Sequence, residues 1–199
     1  MKKIIKNTLI LTIITVVAGL CLGLVYEITK KPIADSQEKA KKEAWQAVFP
    51  GADLSEFKQI DVDQDIADQV ISDLGVNATI DEVCTVGEEG YVVTATDGDG
   101  YGGDIALSVG ILNDGTVKGI EMLEIAETAG LGMKADEPEF KEQFVDKKVE
   151  KFSYTKTGEE GDDKIDALSG ATITTNAVTN AVDAALVYFQ NELGGSVNE

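Results

Sequence analysis

Histidine is absent from this chain of 199 residues, and cysteine occurs only twice. The missing imidazole excludes Ser-His-Asp and Cys-His catalysis, the usual zinc sites and histidine-ligated haem. Cys21 lies in an apolar segment and Cys84 lies far along the chain, so no disulfide is expected between them. A single remaining thiol cannot hold an iron–sulfur cluster. Any redox chemistry in this protein must therefore come from an organic cofactor.

Basic residues are scarce as well. The chain has 17 lysines and arginines against 36 acidic residues, a formal net charge of −19. The first 31 residues carry five lysines and one glutamate, so the remainder carries −23. Such a surface repels the phosphate backbone, which excludes nucleic acid as a partner. It suits a domain that must stay soluble beside an anionic membrane.

Charge is missing altogether from Thr8 to Tyr26, a run of about 19 residues that has the length of a transmembrane helix. A cleaved signal peptide is the alternative, but no Ala-x-Ala site follows the run. Leu20 before Cys21 argues against a lipoprotein signal. Three lysines precede the run, whereas the two that follow are partly offset by Glu27. The positive-inside rule therefore favours a cytoplasmic N-terminus and an extracytoplasmic domain.

Three regions are predicted along the chain. Residues 1–30 form the cytoplasmic start and the anchor, residues 31–80 form a stalk helix and an acidic lead-in, and residues 81–199 form the folded domain. The stalk helix is expected after Pro32, with Asp35 or Ser36 as its N-cap. A second, short helix is expected near residues 65–74.

The domain alternates between strand-like and helical patterns. The runs EVCTVG and GYVVTATDG predict a hairpin, and Asn113-Asp114-Gly115 predicts another turn between apolar runs. A short helix is expected near Pro138, a strand within residues 149–154, and a last helix over Thr174–Leu193, where apolar residues recur at helical spacing. The predicted class is α+β: one transmembrane helix followed by a single domain with an antiparallel sheet and packed helices.

A turn of small residues, Ser169-Gly170-Ala171-Thr172, precedes the last helix. Free backbone N–H groups and the helix dipole favour an anion near Thr172, and Gly170 permits a positive φ and the close approach of a ligand. The same residues have a simpler interpretation, in which Thr172 or Thr174 caps the helix and Gly170 ends a turn. These physical arguments leave both interpretations open.

The stretch DALSGAT, residues 166–172, resembles the Asp-x-x-Ser/Thr-Gly-Ala-Thr signature of flavinylation sites. The match is complete at Asp166, Ser169, Gly170, Ala171 and Thr172. In such proteins a flavin transferase joins FMN through its phosphate to the final threonine, so the resemblance implies a phosphoester at Thr172. For Asp166 it implies recognition by the modifying enzyme, and a plain turn aspartate is the alternative.

The stretch AETAGLG, residues 126–132, resembles the Glu-Thr-Pro-Gly-Leu-Gly loop of FMN-binding domains, with Ala129 in place of proline. The resemblance assigns five of its residues to the flavin site: Glu127, Thr128, Gly130, Leu131 and Gly132. Its glycines would let the backbone approach a flat ring, its leucine would pack on that ring, and Glu127 and Thr128 would orient the loop or hydrogen-bond the flavin. A plain turn is the alternative for this loop taken alone. Tyr101, Trp45 and Tyr188 are equally candidates for lining a flavin and for ordinary packing.

Nearly the whole chain, from the anchor to the last helix, resembles the RnfG family of Rnf complexes, the ion-translocating ferredoxin:NAD oxidoreductases. A related family with the same FMN-binding domain is NqrC of the sodium-pumping NADH:quinone oxidoreductase. The resemblance implies a single-pass electron-transfer subunit of the cell membrane, with covalent FMN and no catalytic site of its own. It implies other membrane subunits of the complex and a flavin transferase as partners.

Three other interpretations are considered for the chain. A free-standing extracytoplasmic flavoprotein shuttle would have the same sequence features. A membrane-anchored binding module without redox function would use the Ser-Gly-Ala-Thr turn only as a helix cap. A pilin-like filament subunit would share the basic start, the apolar helix and the α+β domain, but the Gly-Phe-type processing site and the glutamate that follows it are missing.

Overall fold

The structure is a computed structural model that describes residues 2–194, with the backbone alone at Lys2. The chain divides into two compact units between Ala40 and Lys41. Helix α1 spans Lys2–Val48, so it begins in the first unit and ends in the second.

The first unit carries the apolar part of α1. Within residues 2–194, α1 is the one helix long and apolar enough to cross a membrane, and its most apolar window has a mean hydropathy of 2.6 with no buried residue. The hydroxyls of Thr8, Thr12 and Thr15 donate to carbonyl oxygens four residues earlier, at 3.0 to 3.1 Å. Polar groups are thus satisfied inside the helix, as hydrocarbon surroundings require. The predicted apolar N-terminal helix of membrane-spanning length is confirmed.

Helix α1 does not stop at Pro32. The prediction of a separate stalk helix capped by Asp35 or Ser36 is wrong, because α1 continues through Pro32 to Val48. Proline inside a helix removes one backbone hydrogen bond and costs about 3 kcal/mol. The segment that follows is rich in lysine, glutamate, glutamine and alanine, which are strong helix formers and maintain the helix beyond the proline.

The second unit is built on a five-stranded antiparallel sheet with the strands in chain order. Its strands are β1 (Phe57–Ile60), β2 (Ala78–Val86), β3 (Gly90–Asp97), β4 (Ile105–Leu112) and β5 (Val117–Glu124). The β2–β3 hairpin and the turn at residues 113–115 are confirmed. Two short strands, β6 (Ser153–Thr155) and β7 (Lys164–Asp166), form a separate parallel pair. The strand predicted within residues 149–154 overlaps β6, whereas β7 and the parallel pairing were not predicted.

Three helices accompany the sheet in the second unit. Helix α2 (Gln64–Leu74) begins after Asp63, whose carboxylate accepts the N–H groups of Asp65 and Ile66 at 3.1 Å. Helix α3 (Pro138–Lys141) is shorter than its pattern suggested, since a 3-10 turn over Glu142–Phe144 replaces its second half. Helix α4 (Thr172–Glu192) is the longest of the three and starts two residues earlier than expected.

Apolar side chains fill both faces of the sheet. Helix α4 buries most of its length against one face, in the larger of two hydrophobic clusters. The last turns of α1 cover part of the other face, where the Trp45 ring stacks on Phe57 with their centroids 5.5 Å apart. Gly110 of β4 leaves room there, since an added Cβ would lie 2.9 Å from the Cβ of Val48. The α+β class is therefore confirmed.

One acidic residue, Asp183, lies on the buried face of α4 and is only 8% exposed. Its Oδ1 accepts the N–H of Phe152 at 2.6 Å. Burial raises the pKa of Asp183 to about 7 from its ordinary 3.8, although the Phe152 N–H and the Lys151 charge act in the opposite direction. The unfolded chain releases this proton at lower pH than the folded chain does, so ionisation of Asp183 lowers the free energy of unfolding as the pH rises from about 4 to about 7.

Substitution Asp183→Asn should therefore stabilise the protein more at pH 8 than at pH 5. The asparagine oxygen can still accept the Phe152 N–H, while the buried charge is gone. We expect the difference in unfolding free energy between variant and wild type to change by about 2 kcal/mol, somewhat less than ~1.36 kcal/mol for each of the roughly two pH units over which only the folded chain holds this proton. Denaturant unfolding of both proteins in detergent micelles at the two pH values measures it. An equal difference at both would show that Asp183 is ionised throughout.

Candidate functional site

The turn before α4 has a defined geometry. The N–H of Ala171 donates to the carbonyl of Leu168 at 3.0 Å, which closes a turn over residues 168–171. Gly170 has a φ of 77° inside it. Only glycine adopts this conformation without a steric penalty, so the turn depends on the glycine at this position.

Helix α4 begins without a side-chain cap. Ala171 is the N-cap residue, and no side chain forms a capping hydrogen bond. The alternative that Thr172 or Thr174 caps the helix is therefore wrong, because the turn places Ala171 at the cap and both threonines inside the first turn. The Thr172 hydroxyl forms no hydrogen bond with the other described residues. It remains available for chemistry.

The first turn of α4 also presents free amides. The first intrahelical bond runs from the Thr175 N–H to the Ala171 carbonyl, at 3.0 Å. The N–H groups of residues 172–174 have no acceptor within the described part of the chain. Together with the helix dipole they favour an anion at this position. Because the sequence has no arginine and no lysine is among the described residues that line this site, a phosphate here would depend on these amides.

The loop after β5 forms a second turn beside this helix start. The N–H groups of Leu131 and Met133 both donate to the carbonyl of Thr128, at 3.1 and 3.2 Å. Gly130 has a φ of 75° in the middle of the turn. The loop thus keeps a hydrogen-bonded turn with Ala129 where related loops have proline.

Glu127 ties this loop to the segment between β3 and β4. It is 9% exposed, and its Oε1 accepts the N–H of Tyr101 at 2.7 Å. Its Oε2 faces Gly132 together with the Thr174 hydroxyl, since an added Cβ on that glycine would lie 2.7 and 2.6 Å from the two oxygens. Gly132 therefore lets the loop approach α4 closely.

A cavity of about 530 Å³ lies where these segments meet. Its walls come from three places in the chain: Tyr101, residues 127–128 with 131–132, and residues 170–174. Its apolar side chains are exposed to an unusual degree, with Tyr101 at 71%, Ile173 at 51% and Leu131 at 43%. An open, apolar cavity with a free hydroxyl and free amides at one side suits a flat ring that bears an anionic group.

Comparison with known proteins gives the family. Residues 100–187 match the FMN-binding domain, and residues 1–48 match the RnfG N-terminal region. The chain is 34% identical to the G subunit of the ion-translocating oxidoreductase complex of Methanosarcina acetivorans, over 97% of this chain and 98% of that protein. The chain belongs to the RnfG family of Rnf complexes.

Two further relatives of this RnfG protein differ in the ion that their names give. The G subunit of the Na(+)-translocating ferredoxin:NAD(+) oxidoreductase complex of Acetobacterium woodii is 32% identical, over 96% of this chain and 93% of that protein. The G subunit of the proton-translocating ferredoxin:NAD(+) oxidoreductase complex of Clostridium ljungdahlii is also 32% identical, over 93% and 91%. Similarity at this level therefore does not distinguish sodium from proton transport for this RnfG protein.

The structure brings most of the predicted site residues of this RnfG protein together. Seven of them line the cavity: Glu127, Thr128, Leu131, Gly132, Gly170, Ala171 and Thr172. Ser169 and Gly130 are exposed in the two turns, outside the lining. Asp166 lies at the end of β7, where its N–H donates to Gln143 Oε1 at 2.6 Å. It lines a separate polar cavity.

Three further residues line the cavity of this RnfG protein: Tyr101, for which the sequence left flavin lining and packing equally open, and Ile173 and Thr174, which the sequence did not assign to the flavin. Tyr101 was considered equally as core packing, but Trp45 and Tyr188 are buried while Tyr101 is exposed. The glycines around Tyr101 were the available signal, because an aromatic residue in a glycine-rich loop has few neighbours to pack on. Thr174 is 1% exposed, and its hydroxyl can lie close to the loop because Gly132 has no side chain.

The residues present fit FMN. The cavity volume lies within the range of about 300–1,000 Å³ that small-molecule sites occupy. Tyr101, Leu131 and Ile173 provide apolar surface for an isoalloxazine ring, and the free amides at the start of α4 provide for a phosphate. A hydroxyl, which a phosphoester requires, stands at the same helix start.

Substitution Gly132→Ala should disturb this cavity, whereas Gly130→Ala should not. The new methyl at position 132 would collide with Glu127 and Thr174, so we expect a loss of about 1–3 kcal/mol of stability and a lower flavin content. At position 130 an added Cβ would have no neighbouring atom within 4 Å, so the only cost is about 1 kcal/mol for the positive φ. Thermal unfolding and flavin content of both variants measure this. Equal flavin content would show that close packing at Gly132 is unimportant for the site.

Proposed function

We propose that the Thr172 hydroxyl carries FMN as a phosphoester, and that the chain is a membrane-anchored electron-transfer subunit of an Rnf-type complex. One observation carries the proposal: the Thr172 hydroxyl is free and stands beside free helix amides at a cavity that joins both motifs. The bond from Thr172 Oγ1 to the FMN phosphorus would form as a P–O bond of the flavin donor breaks, with the hydroxyl proton lost and the leaving group released, so that the chain gains FMN less one water.

The residues of the chain divide the work of binding. The amides of residues 172–174 hold the phosphate, and the small side chains of residues 169–171 leave space around it. Leu131, Ile173 and Tyr101 shield the ring from water on its apolar faces. Glu127 keeps the Tyr101 segment close to the loop through its hydrogen bond to the Tyr101 N–H. Bound FMN supplies the electron chemistry, and the protein supplies position and electrostatics.

The partners follow from the family. Relatives of the chain are named as subunits of ferredoxin:NAD oxidoreductase complexes, so we assign this chain to electron flow between ferredoxin and NAD that drives ion transport. Other membrane subunits of such a complex then provide the donor and the acceptor. The resemblance of residues 166–172 to a flavinylation site supports a flavin transferase as the enzyme that forms the ester.

Mass spectrometry tests the flavin linkage. The protein is purified from its native membrane and digested, and the peptide that holds Thr172 is fragmented. We expect a mass gain of FMN less one water, located on Thr172. An unmodified Thr172 peptide from cells that contain the transferase would refute the proposal.

We also propose that the second unit lies on the extracytoplasmic side, since the lysine distribution favours a cytoplasmic N-terminus. The natural cysteines give little background for a labelling test. Cys84 is buried, and burial together with the Glu82 charge raises its pKa to about 12, which keeps the thiol unreactive. Cys21 lies within the apolar run of α1.

The variant Glu160→Cys places a thiol on an exposed loop of the second unit. A membrane-impermeant maleimide should label it in right-side-out vesicles as fully as in vesicles opened by detergent, and should leave the wild type unlabelled. Labelling only after detergent would place the domain in the cytoplasm.

A further inference from the structure

The hydroxyl of Thr175 connects the two ends of the turn before α4. It accepts the N–H of Leu168 at 3.0 Å and donates to the carbonyl of Ala171, also at 3.0 Å. Thr175 itself is fully buried, with 0% of its surface exposed. One side chain thus holds the first residue of the turn and the residue directly before Thr172.

We propose that Thr175 is a positioning residue for flavin attachment: its hydroxyl holds the 168–171 turn so that Thr172 faces the cavity. The inference rests on the proposed phosphoester at Thr172. It adds a residue outside the Asp166–Thr172 motif, one turn further along α4. Thr175 makes no contact with the reacting atoms and acts through the turn alone.

Helix-internal bonding does not account for this arrangement. Thr179, one turn further along, donates to the carbonyl of Thr175 at 2.8 Å, as threonines inside helices commonly do. The Thr175 hydroxyl makes the same kind of bond but also accepts an N–H from a residue seven positions earlier, outside the helix. Because it both donates and accepts, serine can replace it and valine cannot.

The turn has few other restraints. The bond from the Ala171 N–H to the Leu168 carbonyl closes it, and Gly170 permits its positive φ. Removal of the Thr175 hydroxyl would leave the Leu168 N–H without its partner and free the carbonyl end of Ala171. An unpaired, partly buried N–H favours other conformations of the turn. The Thr172 hydroxyl would then spend less time at the cavity.

The experiment compares Thr175→Val, Thr175→Ser and Thr179→Val with wild type. Each full-length protein is expressed with the flavin transferase under separate induction, and the fraction with the FMN mass is followed over time. We expect Thr175→Val to acquire flavin about tenfold more slowly or worse, and Thr175→Ser to follow wild type. Thr179→Val removes a buried hydroxyl from the same helix, so it should lose comparable thermal stability but keep the wild-type rate.

Hydrogen exchange gives an independent measure in the wild type. In wild-type protein made without the flavin transferase, the Leu168 amide should exchange much more slowly than the Thr172 amide, which has no acceptor there, and Thr175→Val should abolish this protection. Equal exchange at the two amides in the wild type would overturn the proposal, even if Thr175→Val and a parallel Thr175→Ala variant both failed to fold. Equal flavinylation of folded Thr175→Val and wild type would also overturn it, with the proposed function intact. Absence of flavin from wild-type Thr172 would instead refute the proposed function.

Discussion

The Thr172→Ala protein should contain no covalent flavin at all, and Thr172→Ser should contain the normal amount. A phosphoester needs an oxygen at this position, and serine provides one at the same place on the helix while alanine does not. The substitution leaves the amides of residues 172–174 and the cavity wall in place. We therefore expect Thr172→Ala to lose all covalently bound flavin and to change the stability of the fold little.

Thr174→Ala is the matched control for this experiment. Thr174 belongs to the same helical turn, lines the same cavity and carries a hydroxyl, but it is 1% exposed and faces Gly132. Flavin fluorescence of the denatured protein in a gel distinguishes covalent from dissociable flavin. Loss of fluorescence in Thr174→Ala with retention in Thr172→Ala would move the attachment to Thr174. Loss in neither would remove both threonines from the proposal.

The parts of the fold that depend on local patterns were predictable from the sequence. Helix α4 repeats apolar residues at helical spacing and is found over Thr172–Glu192. The turn at residues 113–115 follows from its Asn-Asp-Gly composition, which favours a tight connection between strands. These signals act over a few residues, so no knowledge of the tertiary structure is needed to interpret them.

The first residue of α4 was harder to predict, because two local rules conflict there. Threonine is a better N-cap than alanine, so capping preference alone favours Thr172 or Thr174. Gly170 in its left-handed conformation decides otherwise, since it turns the chain so that Ala171 occupies the cap. The consequence is functional: Thr172 does not use its hydroxyl to cap a backbone N–H of α4, so the hydroxyl stays free.

The assembly of the cavity could not be predicted from local patterns. The motifs around Gly132 and Gly170 are separated in sequence, and a resemblance to a family was needed to connect them. In the structure the connection is a contact between the loop after β5 and the first turn of α4, possible because Gly132 has no side chain. The Tyr101 segment is held at the cavity by the hydrogen bond from the Tyr101 N–H to Glu127. Because the donor is a backbone group, the side chains around Tyr101 do not predict this interaction.

A chain that starts at Lys41 should fold and stay soluble without detergent, whereas the full-length chain should remain with the membrane. The apolar run of α1 lies wholly before this point, and Lys41 begins the second compact unit. Lys41 also pairs with Glu82 of β2 at 2.6 Å, so the shortened chain keeps this contact. Membrane fractionation and circular dichroism measure the two properties.

A chain that starts at Pro50 is the control, and it should not fold. It lacks four residues whose relative exposures are 8% or less: Ala44, Trp45, Val48 and Phe49. Burial of a large apolar side chain contributes about 1.5–3 kcal/mol, so this loss is comparable to the ~5–15 kcal/mol by which whole domains are stable. It would expose Phe57 and Val92 on the sheet face that these residues cover. Cooperative unfolding of the Pro50 chain at the midpoint of the Lys41 chain would show that the end of α1 contributes nothing to the domain, and that its role is only to connect the domain to the anchor.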